Sequence, residues 1–248
     1  MAILAALFCA TALLYSAAGF GGGSTYTALL VLAAVDYRAV PILSLLCNII
    51  VVSVGAWRFA RDGHLGWRRA WPLFVTSIPA AWLGGRLLIG ELLFVALLGT
   101  SLLLAGLLML WQPAPPPAAA PVGASRWVEP LAGAGLGFAA GVVGIGGGIF
   151  LAPLLYLLRW GAPKRIAATC AAFILVNSIA GLAGQASKGL GAAGAVIGEH
   201  LLLFPAVAVG AMIGAWLGSD RLDAKWVRLL TAVLILIVAV RLLLRLAP

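Results

Sequence analysis

Gly19-Phe20-Gly21-Gly22-Gly23-Ser24-Thr25 interrupts a long apolar run near the start of the chain, and Gly144-Ile145-Gly146-Gly147-Gly148-Ile149 interrupts another 125 positions later. Glycine weakens an apolar helix and permits backbone angles that other residues avoid. Three adjacent glycines should therefore break the helix. Broken backbone at membrane depth is tolerated only where protein buries it or where it lines a polar cavity. Two such breaks in matching places in two halves are the sequence signature of a transporter's binding site.

Composition sets the class. The 248 residues are 64% hydrophobic and only 9% charged, with a mean hydropathy of +1.14. Soluble domains carry about 25% charged residues, so this reads as an all-α polytopic membrane protein. The net charge of +9 would suggest nucleic acid in a soluble protein. Here the basic residues sit between apolar segments, where they set topology, and no nucleic-acid motif accompanies them. Cys9, Cys47 and Cys170 lie inside apolar segments without metal-ligand spacing and read as small buried residues. The first apolar segment lacks a basic leader and is expected to be a retained helix.

The chain divides into 1–111, a Pro/Ala-rich linker at 112–128, and 129–248. The first part holds a broken hairpin at about 2–35 and spans at about 40–57, 70–87 and 92–111. The second holds a broken hairpin at about 129–159, spans at about 166–186, 201–218 and 226–246, and a glycine-rich loop at 187–198. Gly133, Gly137 and Gly141 recur every four residues and predict a face that packs closely on another helix. Gly210, Gly214 and Gly218 form a second such stripe. Ala81-Trp82-Leu83-Gly84 recurs as Ala215-Trp216-Leu217-Gly218, with Arg86 and Arg221 following. Two echoes in the same order point to an internal duplication.

Basic loop residues decide between parallel and inverted halves. If each break lies within one crossing helix, the Lys and Arg residues divide evenly between the two sides. If the chain turns back at each break, eleven fall on one side: Arg58, Arg61, Arg68, Arg69, Arg126, Arg159, Lys164, Arg165, Arg221, Lys225 and Arg228. Five fall on the other: Arg38, Arg86, Lys188, Arg241 and Arg245. An excess belongs in cytoplasmic loops, so the expectation is two inverted repeats, each a glycine-broken re-entrant hairpin plus three spanning helices.

These features resemble the TauE/SafE sulfite exporter family. The resemblance rests on Gly19 to Ser24 after an apolar N-terminus and on its echo, Gly144 to Gly148. Pro153 follows the second copy, and Pro163-Lys164-Arg165-Ile166-Ala167-Ala168-Thr169 looks like the family's lead into its next helix. In the first half Ala28 stands where the second has Pro153, and Asp36-Tyr37-Arg38 replaces Gly161-Ala162-Pro163. The resemblance covers nearly the whole chain. It implies a multi-pass permease of the cell (inner) membrane for sulfite, organosulfonates or related small anions, with export as the expected direction.

The residues reach an anion independently. A helix N-terminus offers unpaired N–H groups and a partial positive charge, and the helices beginning near Ser24 and Ile149 start directly after glycines. Such an end binds anions readily. The candidate substrate-binding residues are Gly21, Gly22, Gly23, Ser24, Thr25, Asn48, Gly146, Gly147, Gly148, Ile149 and Asn177. Asn48 and Asn177 lie within the spans that follow the breaks and could supply amide donors, or could simply join helices. Arg86 and Arg221 at span ends read as interfacial cations. No cofactor or metal is implied. Acidic residues Asp36, Glu91, Glu129, Glu199 and Asp220, and both histidines, His64 and His200, fall near predicted span ends. Proton coupling therefore stays an open partner, and potential-driven efflux fits as well. An anion channel would use the same dipole-lined constriction, and a structural membrane protein would use the glycines for packing alone. An enzyme is not expected, because Gly-Lys-Ser/Thr, Gly-x-Ser-x-Gly and metal-ligand clusters are all missing.

Overall fold

A computed structural model describes residues 1–18, 21–111, 127–189, 191–217 and 224–246. Gly19 and Phe20 of the first motif, most of the proline-rich linker with Arg126, and Gly218, Asp220 and Arg221 lie outside the described residues, as do the side chains of Lys225 and Arg228.

All regular structure among the described residues is helical. The order is α1 (Ala2–Ala18), α2 (Gly23–Leu32), α3 (Val40–Arg61), α4 (Trp67–Arg86), α5 (Glu91–Trp111), α6 (Val128–Val143), α7 (Gly148–Leu157), α8 (Pro163–Ala186), α9 (Gly191–Glu199), α10 (Leu203–Leu217) and α11 (Ala224–Leu244). α3, α5 and α8 are long and apolar enough to cross a membrane, and α9 with α10 forms a fourth such unit bent by 58°. α2 and α7 have 10 residues each, about 15 Å of helix and half a bilayer core. Trp57, Trp67, Trp71 and many leucines are exposed, as a lipid-facing surface with interfacial aromatics requires.

Glycines decide which helices touch. Side-chain carbons added at Gly133, Gly137 and Gly141 would strike the carbonyls of Leu73, Ser77 and Ala81. The expected close-packing face of α6 therefore lies on α4. The contacts advance in step along both helices, so α4 and α6 run parallel. Gly210 and Gly214 of α10 meet the carbonyls of Cys9 and Leu13 in the same manner. α1 thus packs along α10 as α6 packs along α4, α3 packs on α10 as α8 packs on α4, and α3–α8 and α5–α11 pair directly. Exchanging α1, α2, α3, α4 and α5 for α6, α7, α8, α10 and α11 maps these neighbours onto themselves.

The direction of the chain reverses at both breaks. The Phe8 and Tyr26 rings stack with centroids 4.7 Å apart, where an unbroken helix would separate them by about 27 Å. In the second half, α8 starts beside the start of α4, where Arg165 approaches Gly66. It ends beside the end of α4, where Lys188 Nζ donates to the Leu87 carbonyl at 3.2 Å. α6 and α8 both run with α4, so α7 between them runs back.

The two turns are built differently. Gly144, Gly146 and Gly147 have φ of +79°, +81° and +76°, in the left-handed region that side chains rarely adopt. Gly144 ends α6 in that conformation, its N–H bonded to the Ala140 carbonyl at 2.9 Å, a common glycine helix stop. Gly22 instead has φ of −90°. In the first copy the glycines are required by space: a side chain at Gly23 would strike the Ile145 carbonyl and the Asn48 amide.

The expected loop over 187–198 is corrected. Gly191–Glu199 forms α9, because its glycines alternate with residues that pack. Ala193 is buried in the main core, and Val196 and Ile197 pack against it. His200 follows at the bend, nine-tenths buried, with Nδ1 2.8 Å from the Val196 carbonyl.

Candidate functional site

The two breaks meet at the middle of α3 and α8. Asn48 of α3 stands between them. Its Nδ2 donates to the Ile145 carbonyl at 3.2 Å. A side chain at Gly21 would meet Asn48 Oδ1 at 2.8 Å, and one at Gly146 would meet Nδ2 at 2.8 Å. Across from it, Ile174 of α8 closes on Gly21, Gly146 and Gly148, and Ser178 lies 3.2 Å from the position of a Gly146 side chain.

Hydroxyls tie the breaks together. Ser44 Oγ lies 2.8 Å from the Gly144 carbonyl and 3.1 Å from the Gly23 carbonyl, so its single proton is shared between the two. Thr27 Oγ1 lies 2.7 Å from the Gly23 carbonyl and 2.9 Å from Ser44 Oγ. Both side chains are fully buried. No side chain caps the N-terminus of α2 or of α7, which leaves their first-turn N–H groups, and the positive ends of two helix dipoles, at the meeting point.

Four buried polar atoms have no hydrogen-bond partner among the described residues: Tyr26 Oη, Asn48 Oδ1, Asn177 Oδ1 and Ser178 Oγ. An unsatisfied buried group costs about 1–3 kcal/mol, and such groups are few in native proteins. They lie on α2, α3 and α8, and of them Asn48 and Ser178 border the Gly21–Gly23 and Gly146 backbone. The amide orientations are fixed by neighbouring carbonyls: Asn48 Nδ2 faces Ile145 O, and Asn177 Nδ2 donates to Phe173 O at 2.8 Å. The expectation of both asparagines as amide donors is thus modified. One N–H of each is held by backbone, and the unpartnered atom of each is an acceptor.

The sequence-derived residues separate into two groups. Gly21, Gly23, Asn48, Gly146 and Gly148 converge at the junction. Gly22 faces Thr11 and Tyr26, and Thr25 shares a 3.0 Å hydrogen bond with the Tyr15 hydroxyl, so both serve the contact of α2 with α1. Gly147 faces Phe173, Ala140 and the Leu136 carbonyl and secures the turn. Ser24 is buried, and Ile149 is half-buried against the main core. Tyr26, expected beside Ser24 and Thr25 as a hydroxyl donor, has its Oη buried without a partner among the described residues, whereas Ser44, Thr27, Ile174 and Ser178 were not singled out from sequence. Their spacing from Asn48 and Asn177 along α3 and α8 was the available signal, since Ser44 precedes Asn48 by one helical turn and Ser178 adjoins Asn177. Gln185 donates through Nε2 to the Gly141 carbonyl at 3.1 Å, and Arg86 lies over the Trp82 ring at 5.1 Å.

On the side of the arginine-rich loops, Trp160 is fully buried and its Nε1 donates to Glu129 Oε1 at 2.9 Å. Arg69 Nη1 donates to the Trp160 carbonyl at 2.7 Å, with its guanidinium 4.9 Å from the Trp160 ring centre and Nε 3.8 Å from Glu129 Oε1. This cluster anchors the end of the second hairpin to α4 and α6. Among the described residues no group of three or more metal-ligating side chains converges.

Paired glycine breaks converging on polar atoms inside an apolar helical bundle define a multi-pass membrane protein of the transporter class. The chain belongs to the sulfite exporter TauE/SafE family, whose description matches residues 3–242. It is 33% identical over 251 aligned residues to the probable membrane transporter protein y4hK of Sinorhizobium fredii, covering 97% of each chain. No solved structure matches it.

Proposed function

We propose that this protein is a secondary transporter of the cell (inner) membrane that exports sulfite or a related organosulfonate or small anion. The anion binds between the two glycine breaks, and alternating access rocks two inverted repeats, 1–111 and 129–248, about them. The supporting observation is the convergence of two uncapped helix N-termini on Asn48, beside buried polar atoms that no described residue satisfies. Helix ends offer an anion N–H donors without a lysine at membrane depth, where a full charge is costly. That keeps binding reversible, as transport requires. The reversal of chain direction at both breaks favours re-entrant hairpins, and the exchange of neighbours between halves favours a duplicated architecture.

The acceptor at the junction bears on protons. Asn48 Oδ1, buried without a partner among the described residues, suits the hydroxyl of a hydrogen-bearing oxyanion better than a bare dianion. Proteoliposomes loaded with purified protein and offered labelled sulfite, sulfate, thiosulfate, sulfoacetate or chloride, with and without a pH gradient, test the reading. Saturable sulfite or sulfonate flux supports it, and a response to the gradient assigns the proton. Flux of none of these anions by folded protein overturns it.

A further inference from the structure

A cleft of about 490 Å³ opens on the face opposite the arginine-rich loops, between the α2–α3 turn, the α4–α5 connection and the end of α8. Its wall is of two kinds. Arg38 and Lys188 supply cations, while Ile42, Leu87 and Phe94 supply apolar surface. Neither cation forms an ion pair within 4 Å among the described residues. Arg38 Nε bonds to the Tyr37 hydroxyl at 3.2 Å, which with the neighbouring ring and Asp36 holds its pKa above the usual arginine range. Partial burial pushes the Lys188 ammonium the other way, below the usual lysine range. That direction marks a cation that gains from an added anion.

The floor of the cleft reaches the second glycine break. Pro41 and Val142 line it, and the Pro41 Cα lies 2.5 Å from where a Gly144 side chain would stand. Size points to the occupant. Pockets for organic ligands span roughly 300–1,000 Å³, whereas an inorganic oxyanion displaces only a few waters of about 30 Å³ each. Clefts lined by one sign of charge over low-dielectric walls also concentrate counter-ions.

We propose that this cleft is a second anion site, a vestibule that takes a small organic anion with its acid group on Arg38 and Lys188 and its short apolar body against Ile42, Leu87 and Phe94. It rests on the reading of the glycine junction as an anion pathway, and it supplies or receives the anion at the junction's open side. A lipid phosphate headgroup offers the same acid chemistry, so the test separates the two.

Equilibrium binding of labelled ethanesulfonate is measured in nanodiscs of zwitterionic lipid, which needs no transport. The full-length wild type should bind. The double variant Arg38→Gln/Lys188→Gln should bind at least tenfold more weakly, Lys188→Arg should retain binding, and Gly135→Ala, on an open helix face, should leave it intact. In transport, the double variant should raise KM and flatten its dependence on ionic strength at unchanged kcat. Wild-type-like binding by the double variant, or no binding by the wild type, overturns the vestibule. So does loss of binding when anionic phospholipid is added to the discs, since that assigns the cleft to a headgroup. Intact vestibule binding without flux of any anion would overturn the transport reading and leave the cleft assignment standing.

Discussion

Asn48 donates to the carbonyl of Ile145, 97 positions away, at 3.2 Å. A helix in the first half thus holds the turn of the second. If the Asn48 amide organises the junction, Asn48→Leu removes the bond and leaves the Ile145 carbonyl buried and unpaired. The expected cost is about 1–3 kcal/mol, read as a lower melting temperature. Flux should fall at least tenfold even below that temperature. Asn48→Asp should lose flux as well, because it sets a negative charge where the anion is to bind.

The helix-to-helix glycines give a stability prediction with an internal control. Gly137→Leu drives a side chain into the Ser77 backbone, and Gly210→Leu drives one into the Cys9 carbonyl. Backbone cannot move aside as a flexible side chain would, so each should destabilise by about 1–3 kcal/mol or more. Gly135 sits on the same helix as Gly137 with nothing within 4 Å of an added carbon. Gly135→Ala should leave the melting temperature unchanged or raise it slightly, because alanine is the better helix former.

Ser44 bridges the carbonyls of Gly144 and Gly23. Ser44→Ala should cost about 1 kcal/mol and loosen the two turns together. Hydrogen–deuterium exchange should then rise at the starts of both α2 and α7. Exchange rising at only one of them would mean that the hydroxyl serves a single break.

The Arg69–Trp160–Glu129 cluster predicts an asymmetric response. Glu129→Gln keeps an acceptor for Trp160 Nε1 and should be mild, within about 1 kcal/mol, since the ion pair it removes is long, 3.8 Å from Arg69 Nε, and only partly buried. Arg69→Gln removes the donor to the Trp160 carbonyl and the cation over its ring. It should be the more destabilising of the two in a thermal melt.

Much of this architecture was legible in the chain. Three adjacent glycines in an apolar run allow few structures, and Gly133, Gly137 and Gly141 announce a face for close packing. Their partner was not legible, because α6 packs on α4 of the other half, and nothing local to α6 encodes that choice. Gly191–Glu199 reads as a loop because glycine count masks the periodic contacts of Ala193, Val196 and Ile197. Within the site, Asn48 stood out as a polar residue in an apolar helix. Ser44, Thr27 and Ser178 did not, since hydroxyls commonly bond their own helix backbone and draw no attention there. The direction of the Asn177 amide depends on the Phe173 carbonyl and has no sequence signal.

The central claim is that two glycine breaks, one from each half, form one anion path. Initial-rate uptake of labelled sulfite into proteoliposomes tests it most directly, comparing wild type with Gly22→Leu and Gly147→Leu, each shown to be folded and inserted. The account predicts saturable flux in the wild type and its loss in both variants. Wild-type flux surviving in either variant would contradict it.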